Sequence, residues 1–312
     1  MSKASLSRRI RTLGKEWSNL HAKRPRILYH YTDAQGLLGM LKTNRLWATN
    51  SRFMNDPTEV EYAARVIRET ALEQEAHYPS TLFKSVKHGI SEVLEVYEGD
   101  NDEYIACFCE EGDLLSQWRG YGAVGGGYAL GFQAEHLGLR EYKTIEAPEP
   151  VLRKVLYDQK KQKYLVRKFV KLLLDWEIFC NNGARKEPRA SQFNYAWRLF
   201  NWFVSECLNC FKDPAYAEEK EWRLIQYGRN TKAEKFVKTD FRASRNRIVE
   251  YVEIEFSRFN GKDSRLPIKT IRYGPTLDPK VTERALRLLC ISIGCPDLIT
   301  VQRSGVPFSG YQ

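Results

Sequence analysis

The chain has 312 residues, 43% hydrophobic and 28% charged, with a net charge of +10, long enough to bury a core as one large domain or two small ones. Its apolar runs are a few residues long, far short of the roughly 20 that a membrane helix needs, and basic residues 1–26 lack the apolar stretch of a secretory signal. No repeat or low-complexity tract occurs, so solenoid, collagenous and disordered classes are excluded and a cytoplasmic globular protein is expected.

Residues 4–21 read as a basic amphipathic helix, ended before Arg24-Pro25, within an N-terminal element spanning 1–25. ILYHYT, rich in aromatic residues, is a predicted strand. Asp33 or Thr32 then caps a helix over AQGLLGMLKTN, where Leu37, Leu38 and Leu41 fall at helical spacing. RLWATN is a second strand. Asn55-Asp56-Pro57 makes a turn, and Pro57 suits the start of a helix over 58–76. A further helix covers 81–97.

EYIACFC and GGYALGF are strands on either side of a glycine-rich loop, 110–127, of little periodicity. A long loop between strands is more often functional than filler. After a short strand in 151–157, two basic helices at 158–180 and 190–211 interrupt the strand pattern. EWRLIQYG, RIVEYVEIEF and IKTIRYG are strong strands, followed by a helix over 278–293 and the strand LITVQ. The expected fold is α+β: one domain, 26–312, with a mixed or antiparallel central sheet and a helical insertion at about 158–211.

Charge is segregated. Residues 61–150 carry seven basic and seventeen acidic side chains, whereas 151–250 carry twenty-two basic and twelve acidic. Either the basic helices 158–211 bind nucleic acid, or their charges are solvated helix faces. Seven cysteines give no strong metal pattern. Cys207-x-x-Cys210 lacks a second pair and nearby histidines in sequence, so buried free thiols are expected and no metal.

Phosphate-loop, nucleophile-elbow, zinc-protease and dinucleotide fingerprints are absent. Three segments carry chemistry instead. His30 lies in a strand between Tyr29 and Tyr31, and reads either as a hydrogen-bonded strand-end histidine or as a ligand contact beside a stacking aromatic. Glu219 and Glu221 form an E-x-E before Trp222. They are either solvated or, in β conformation, two carboxylates facing one cleft. Trp118, Arg119 and Tyr121 in SQWRGYG offer a stacking face and a fixed positive charge, or else an aromatic core anchor.

Together, LYHYT with its helix, RLWATNSRFMNDPTE, the W-x-x-Y segment, EKEWRL, IKTIRYGP and QRSGVPF resemble a widespread bacterial family of uncharacterised domains, over residues 26–308. The order of histidine strand, helix, strand, aromatic segment and E-x-E is similar to the ADP-ribosyltransferase fold, from which the long insertion departs. In histidine-bearing branches of that fold, a first-strand histidine contacts the ribose and nicotinamide of NAD. A tyrosine stacks on nicotinamide and a late glutamate binds a ribose hydroxyl. His30 and Glu221 match those roles by order, and either Tyr121 or Tyr128 matches the tyrosine.

The resemblance implies NAD as a substrate held by Tyr31, Thr32, Arg52, Trp118, Arg119 and Tyr121. Glu219 would orient a macromolecular acceptor, in a toxin or anti-phage setting. The rival readings are a non-catalytic nucleic-acid-binding protein and a phosphodiesterase or nuclease using His30, Asp56 and Glu221.

Overall fold

The computed structural model describes residues 3–54, 58–99, 103–121, 126–138, 150–181, 201–228, 237–244, 247–256, 265–295 and 298–308. The chain divides into two compact units: Met1–Ala22, Asn55–Asn101 and Val155–Ala217 in one, and Lys23–Met54, Asp102–Lys154 and Glu218–Gln312 in the other. Among the described residues no helix is long and apolar enough to cross a membrane.

The first unit is helical. It contains α1 (Lys3–Ala22), α3 (Thr58–Leu72), α4 (Ser80–Gly99), α6 (Gln159–Asn181) and α7, which is described over 201–210. Helical spacing puts Val166, Phe169 and Val170 of α6 on one stripe, buried with Ile67 of α3, Val93 and Leu94 of α4 and Phe203 of α7. Phe169 stacks on Phe203 with ring centroids 4.0 Å apart, and Trp17 of α1 meets Phe203 edge-on at 5.8 Å. Burying each such ring stabilises the unit by about 1.5–3 kcal/mol. The segment read as a helical insertion thus supplies two helices of a core that also holds α1. Residues 182–200, the start of the second basic helix, lie outside the described residues, as does the Asn55-Asp56-Pro57 turn.

Among the described residues the second unit is a ten-stranded mixed sheet with three helices, so the fold is α+β. Its strands are β1 (Ile27–Thr32), β2 (Leu46–Asn50), β3 (Glu103–Cys109), β4 (Tyr128–Gln133), β5 (Val151–Lys154), β6 (Glu221–Tyr227), β7 (Thr239–Ser244), β8 (Arg247–Ile254), β9 (Ile268–Tyr273) and β10 (Thr300–Arg303). The main path runs β10-β9-β4-β1-β3-β2-β8-β7, with β6 and β5 branching from β3. Period-two alternation sends Leu28, Phe108, Trp222 and Leu224 into one core, closed by Leu37, Met40 and Leu41 of α2 (Ala34–Thr43) and by Leu286 and Cys290 of α8 (Pro279–Ser292). Asp33 caps α2 by accepting from the Gly36 amide at 2.8 Å.

Two differences from the sequence reading matter for the site. The glycine-rich loop contains about two helical turns, α5 (Leu115–Tyr121), because Trp118 is drawn fully into a cluster with Tyr31, Cys109 and Ala129. The strand β7 has no counterpart in the pattern. TDFRAS is mostly exposed at the sheet edge, where alternation has little core to report.

Candidate functional site

The site grows from a fork in the sheet. Along one edge β3 pairs with β6 throughout, from Glu103↔Tyr227 to Cys109↔Glu221. Its other edge is shared: β2 pairs at Tyr104 and Ile105, and β1 pairs only at Cys109, opposite Tyr29. Between those two junctions the carbonyl of Cys107 accepts 2.8 Å away from Nδ1 of His30. A carbonyl can only accept, so Nδ1 carries the proton and Nε2 keeps its lone pair. A side chain has replaced a ladder bond where the strands diverge.

A pocket opens at this fork. His30, Tyr121, Glu219 and Glu221 line it, with Tyr29 and Tyr31 from β1 and Cys107, Phe108 and Cys109 from β3. Gln117 of α5 completes the wall.

His30 is embedded in the sheet with part of its ring open to this cavity. Loss of hydration lowers its pKa to about 4, against the Cys107 hydrogen bond and with a contribution from Arg242. The imidazole is neutral at pH 7 and presents an acceptor. Tyr31 donates to Glu111 O at 2.9 Å and accepts from Leu114 N at 3.0 Å, so its hydroxyl shapes the β3–α5 connection. Burial holds that phenol far above its ordinary range. Burial pushes the Cys109 thiol up to about 12, assisted by Glu110, Glu111 and Glu219, so it is no thiolate nucleophile.

Glu221 is buried at the start of β6. Its carboxylate accepts twice from Arg223, from Nε at 2.8 Å and Nη2 at 3.1 Å, as a bidentate ion pair. Arg153 of β5 lies directly opposite Arg223. Glu219 reaches the pocket by a different route from the one expected. It ends a 3₁₀ turn, Pro214–Glu219, and Lys220 adopts a left-handed φ of 42° before β6 begins. The kink is held by Lys220 O accepting from Glu110 N at 3.2 Å and by Lys220 Nζ on Glu111 at 2.8 Å.

The fork thus brings together five of the expected residues: His30, Tyr31, Tyr121, Glu219 and Glu221. The other four stand elsewhere. Thr32 pairs with Tyr128 at the end of β1. Arg52 sits in the 3₁₀ turn Ser51–Phe53, its amide on Asn50 Oδ1 at 3.1 Å. Trp118 is fully buried against Tyr31, ring centroids 4.9 Å apart, and donates to Asp113 at 2.9 Å. The Arg119 guanidinium lies 5.2 Å over the Phe308 ring.

Asp113 anchors α5 to the closing QRSGVPF segment. Burial would raise its pKa, but hydrogen bonds from Ser304, Gly305 and Trp118, with the Arg272 charge, hold it below the ordinary carboxylate range. Tyr29, Gln117 and Arg223 were not anticipated. Tyr29 had a signal in its place beside His30, whereas Gln117 and Arg223 had none apart from the fold. Gly112 has a reason to be glycine: an added Cβ would lie 2.4 Å from the Tyr29 ring.

A protein family described as protein of unknown function (DUF2971) matches residues 117–224, from Gln117 of α5 to the first half of β6. This bears out an uncharacterised family, over a shorter stretch than the motifs suggested. No curated protein matches the chain, and no solved structure does.

Proposed function

We propose that the fork is the binding site of an ADP-ribosyltransferase-like enzyme that breaks the bond between nicotinamide and ribose in NAD and transfers the ADP-ribosyl group to a macromolecule. The observation that carries this reading is the meeting of a neutral histidine, an exposed tyrosine and two carboxylates, from positions 30 to 221, on one pocket. Nε2 of His30 would accept from a ribose hydroxyl. Tyr121, 38% exposed, would cover the nicotinamide ring. Scission develops positive charge on the ribose as the bonding pair leaves with nicotinamide. The Glu221 carboxylate, held by Arg223, would stabilise that charge. Glu219 would orient the acceptor, whose nucleophile loses its proton as the new glycosidic bond forms.

The basic surface of α6 supports a nucleic-acid partner less well. Lys163 and Arg167 both pair with Glu73, and Lys168 pairs with Glu16, so three of its cations already have acidic partners. Asp56, needed by the nuclease reading, lies outside the described residues.

The test is nicotinamide release by the purified chain, with and without protein or nucleic-acid acceptors. Glu221→Gln keeps shape but removes the charge opposite Arg223, and should reduce turnover about 100-fold or more in protein shown by circular dichroism to be folded. His30→Ala should raise KM and lower kcat together. A parent protein that consumes no NAD with any acceptor removes the proposal.

A further inference from the structure

The helical unit gathers three chemically different ligand types that the sequence keeps far apart. His21 at the end of α1 meets Glu206 and Cys210 of α7, and their ligand atoms all lie within 4.8 Å of one another. All three residues are buried, His21 to 3% exposure and the other two completely. On α7 the spacing of four places Glu206 and Cys210 on one face, so the helix itself presents a carboxylate and a thiol to one point.

We propose that His21, Glu206 and Cys210 hold a zinc-class divalent transition-metal ion. Imidazole nitrogen, carboxylate oxygen and thiolate are the donor types that zinc takes, and tetrahedral coordination separates a sulfur from a nitrogen ligand by about 3.5 Å. The ligand atoms here, all within 4.8 Å of one another, are near that spacing. Trp17 donates its indole N–H to Glu206 Oε2 at 2.6 Å and packs its ring 5.2 Å from that of His21, which orients two of the three ligands from outside the cluster. All three ligands are buried, which leaves no open face for a substrate, so the role would be structural. The ion would fasten the last turn of α1 to α7, and Cys210 would release its proton on binding.

The experiment uses the full chain, purified under non-chelating reducing conditions. Elemental analysis should find about one zinc per chain. Cobalt(II) titrated into chelator-treated protein should give a thiolate-to-cobalt charge-transfer band that zinc then displaces. Cys210→Ser should abolish the band and Cys290→Ser, in the sheet unit, should leave it intact. Should Cys210→Ser fail to fold, the parent decides alone: a saturable, zinc-displaced band that Cys290→Ser retains supports the site. A parent with neither zinc nor a cobalt–thiolate band, or a band that survives Cys210→Ser, overturns it.

Discussion

In the helical unit, Gln162 is fully buried and both ends of its amide are bonded: Oε1 accepts from Tyr62 at 2.9 Å, and Nε2 donates to Leu156 O at 2.6 Å and Lys212 O at 3.0 Å. In the sheet unit, His30 spends one nitrogen on Cys107 O and turns part of its ring to a pocket. Buried Lys212 pairs with partly buried Glu59 in the first unit, and Glu221 and Arg223 form a buried pair in the second. Glu221 also lines the cavity. Buried polarity that closes on itself holds helices in register, whereas buried polarity that opens on a cavity can meet a ligand.

The largest effect expected from breaking this contrast is at Arg223. Arg223→Met leaves a buried carboxylate without its bidentate partner, and should lower stability by about 3–5 kcal/mol in denaturant titration. The double substitution Glu221→Leu/Arg223→Met should recover most of that loss, since neither charge is then stranded. Gln162→Leu in the closed network should cost about 2–3 kcal/mol, through hydrogen-bond partners left without the amide. It should leave ligand binding at the fork unchanged. If Gln162→Leu also changed binding, the division between closed and open polarity would fail.

His30 provides the next test, through pH. Its pKa falls from 6.5 to about 4 on folding. Between those values the unfolded chain binds a proton that the folded chain refuses. Its contribution to stability is therefore full above about pH 6.5 and is lost as pH falls toward 4, by about 3 kcal/mol over the interval. His30→Gln should flatten that part of the stability profile. A variant with the parent's slope between pH 6.5 and 4 would mean that His30 is hydrated and protonated in the folded state.

Much of this architecture is written locally. ILYHYT carries its strand boundaries, Asp33 its cap, and the alternation in EWRLIQY the burial of Trp222 and Leu224. The fork is not local, because it depends on β3 changing neighbours between Ile105 and Cys109. Nor did the E-x-E spacing explain how Glu219 and Glu221 meet. That depends on a 3₁₀ turn and a left-handed lysine, not on two positions of one strand. Trp118 had an accurate dual reading, as stacking face or core anchor, and packing around Tyr31 decided for the anchor. The cluster of His21 with Cys210 joins residues 189 positions apart (210 minus 21), beyond any spacing rule.

Asp113 should give a smaller effect with the opposite kind of partner to His30. Its depressed pKa means that its contribution is present above the ordinary carboxylate value and disappears as pH falls through the folded one. Asp113→Asn should lower stability by about 1–2 kcal/mol at pH 7. The gap to the parent should close in strong acid. Release of α5 should also loosen Tyr121, seen as weaker protection of its backbone in hydrogen exchange.

The smallest change concerns Lys220, whose left-handed φ of 42° separates the two pocket carboxylates. For a residue with an ordinary side chain that conformation costs about 1–2 kcal/mol, but asparagine tolerates it well. Lys220→Asn surrenders an ion pair with Glu111 that is half-exposed on both sides, worth less than about 1 kcal/mol. The two terms nearly cancel, so its thermal midpoint should stay close to the parent's. Lys220→Val loses the same ion pair and meets a steeper steric penalty, since a β-branched side chain suits positive φ poorly. It should be the less stable of the two by about 1–2 kcal/mol. Because the kink directs Glu219 and Glu221 onto one pocket, Val should impair ligand binding while Asn spares it. Equal stabilities for the two variants would show that the backbone at 220 is not held left-handed in solution, and would leave the convergence of those carboxylates without its hinge.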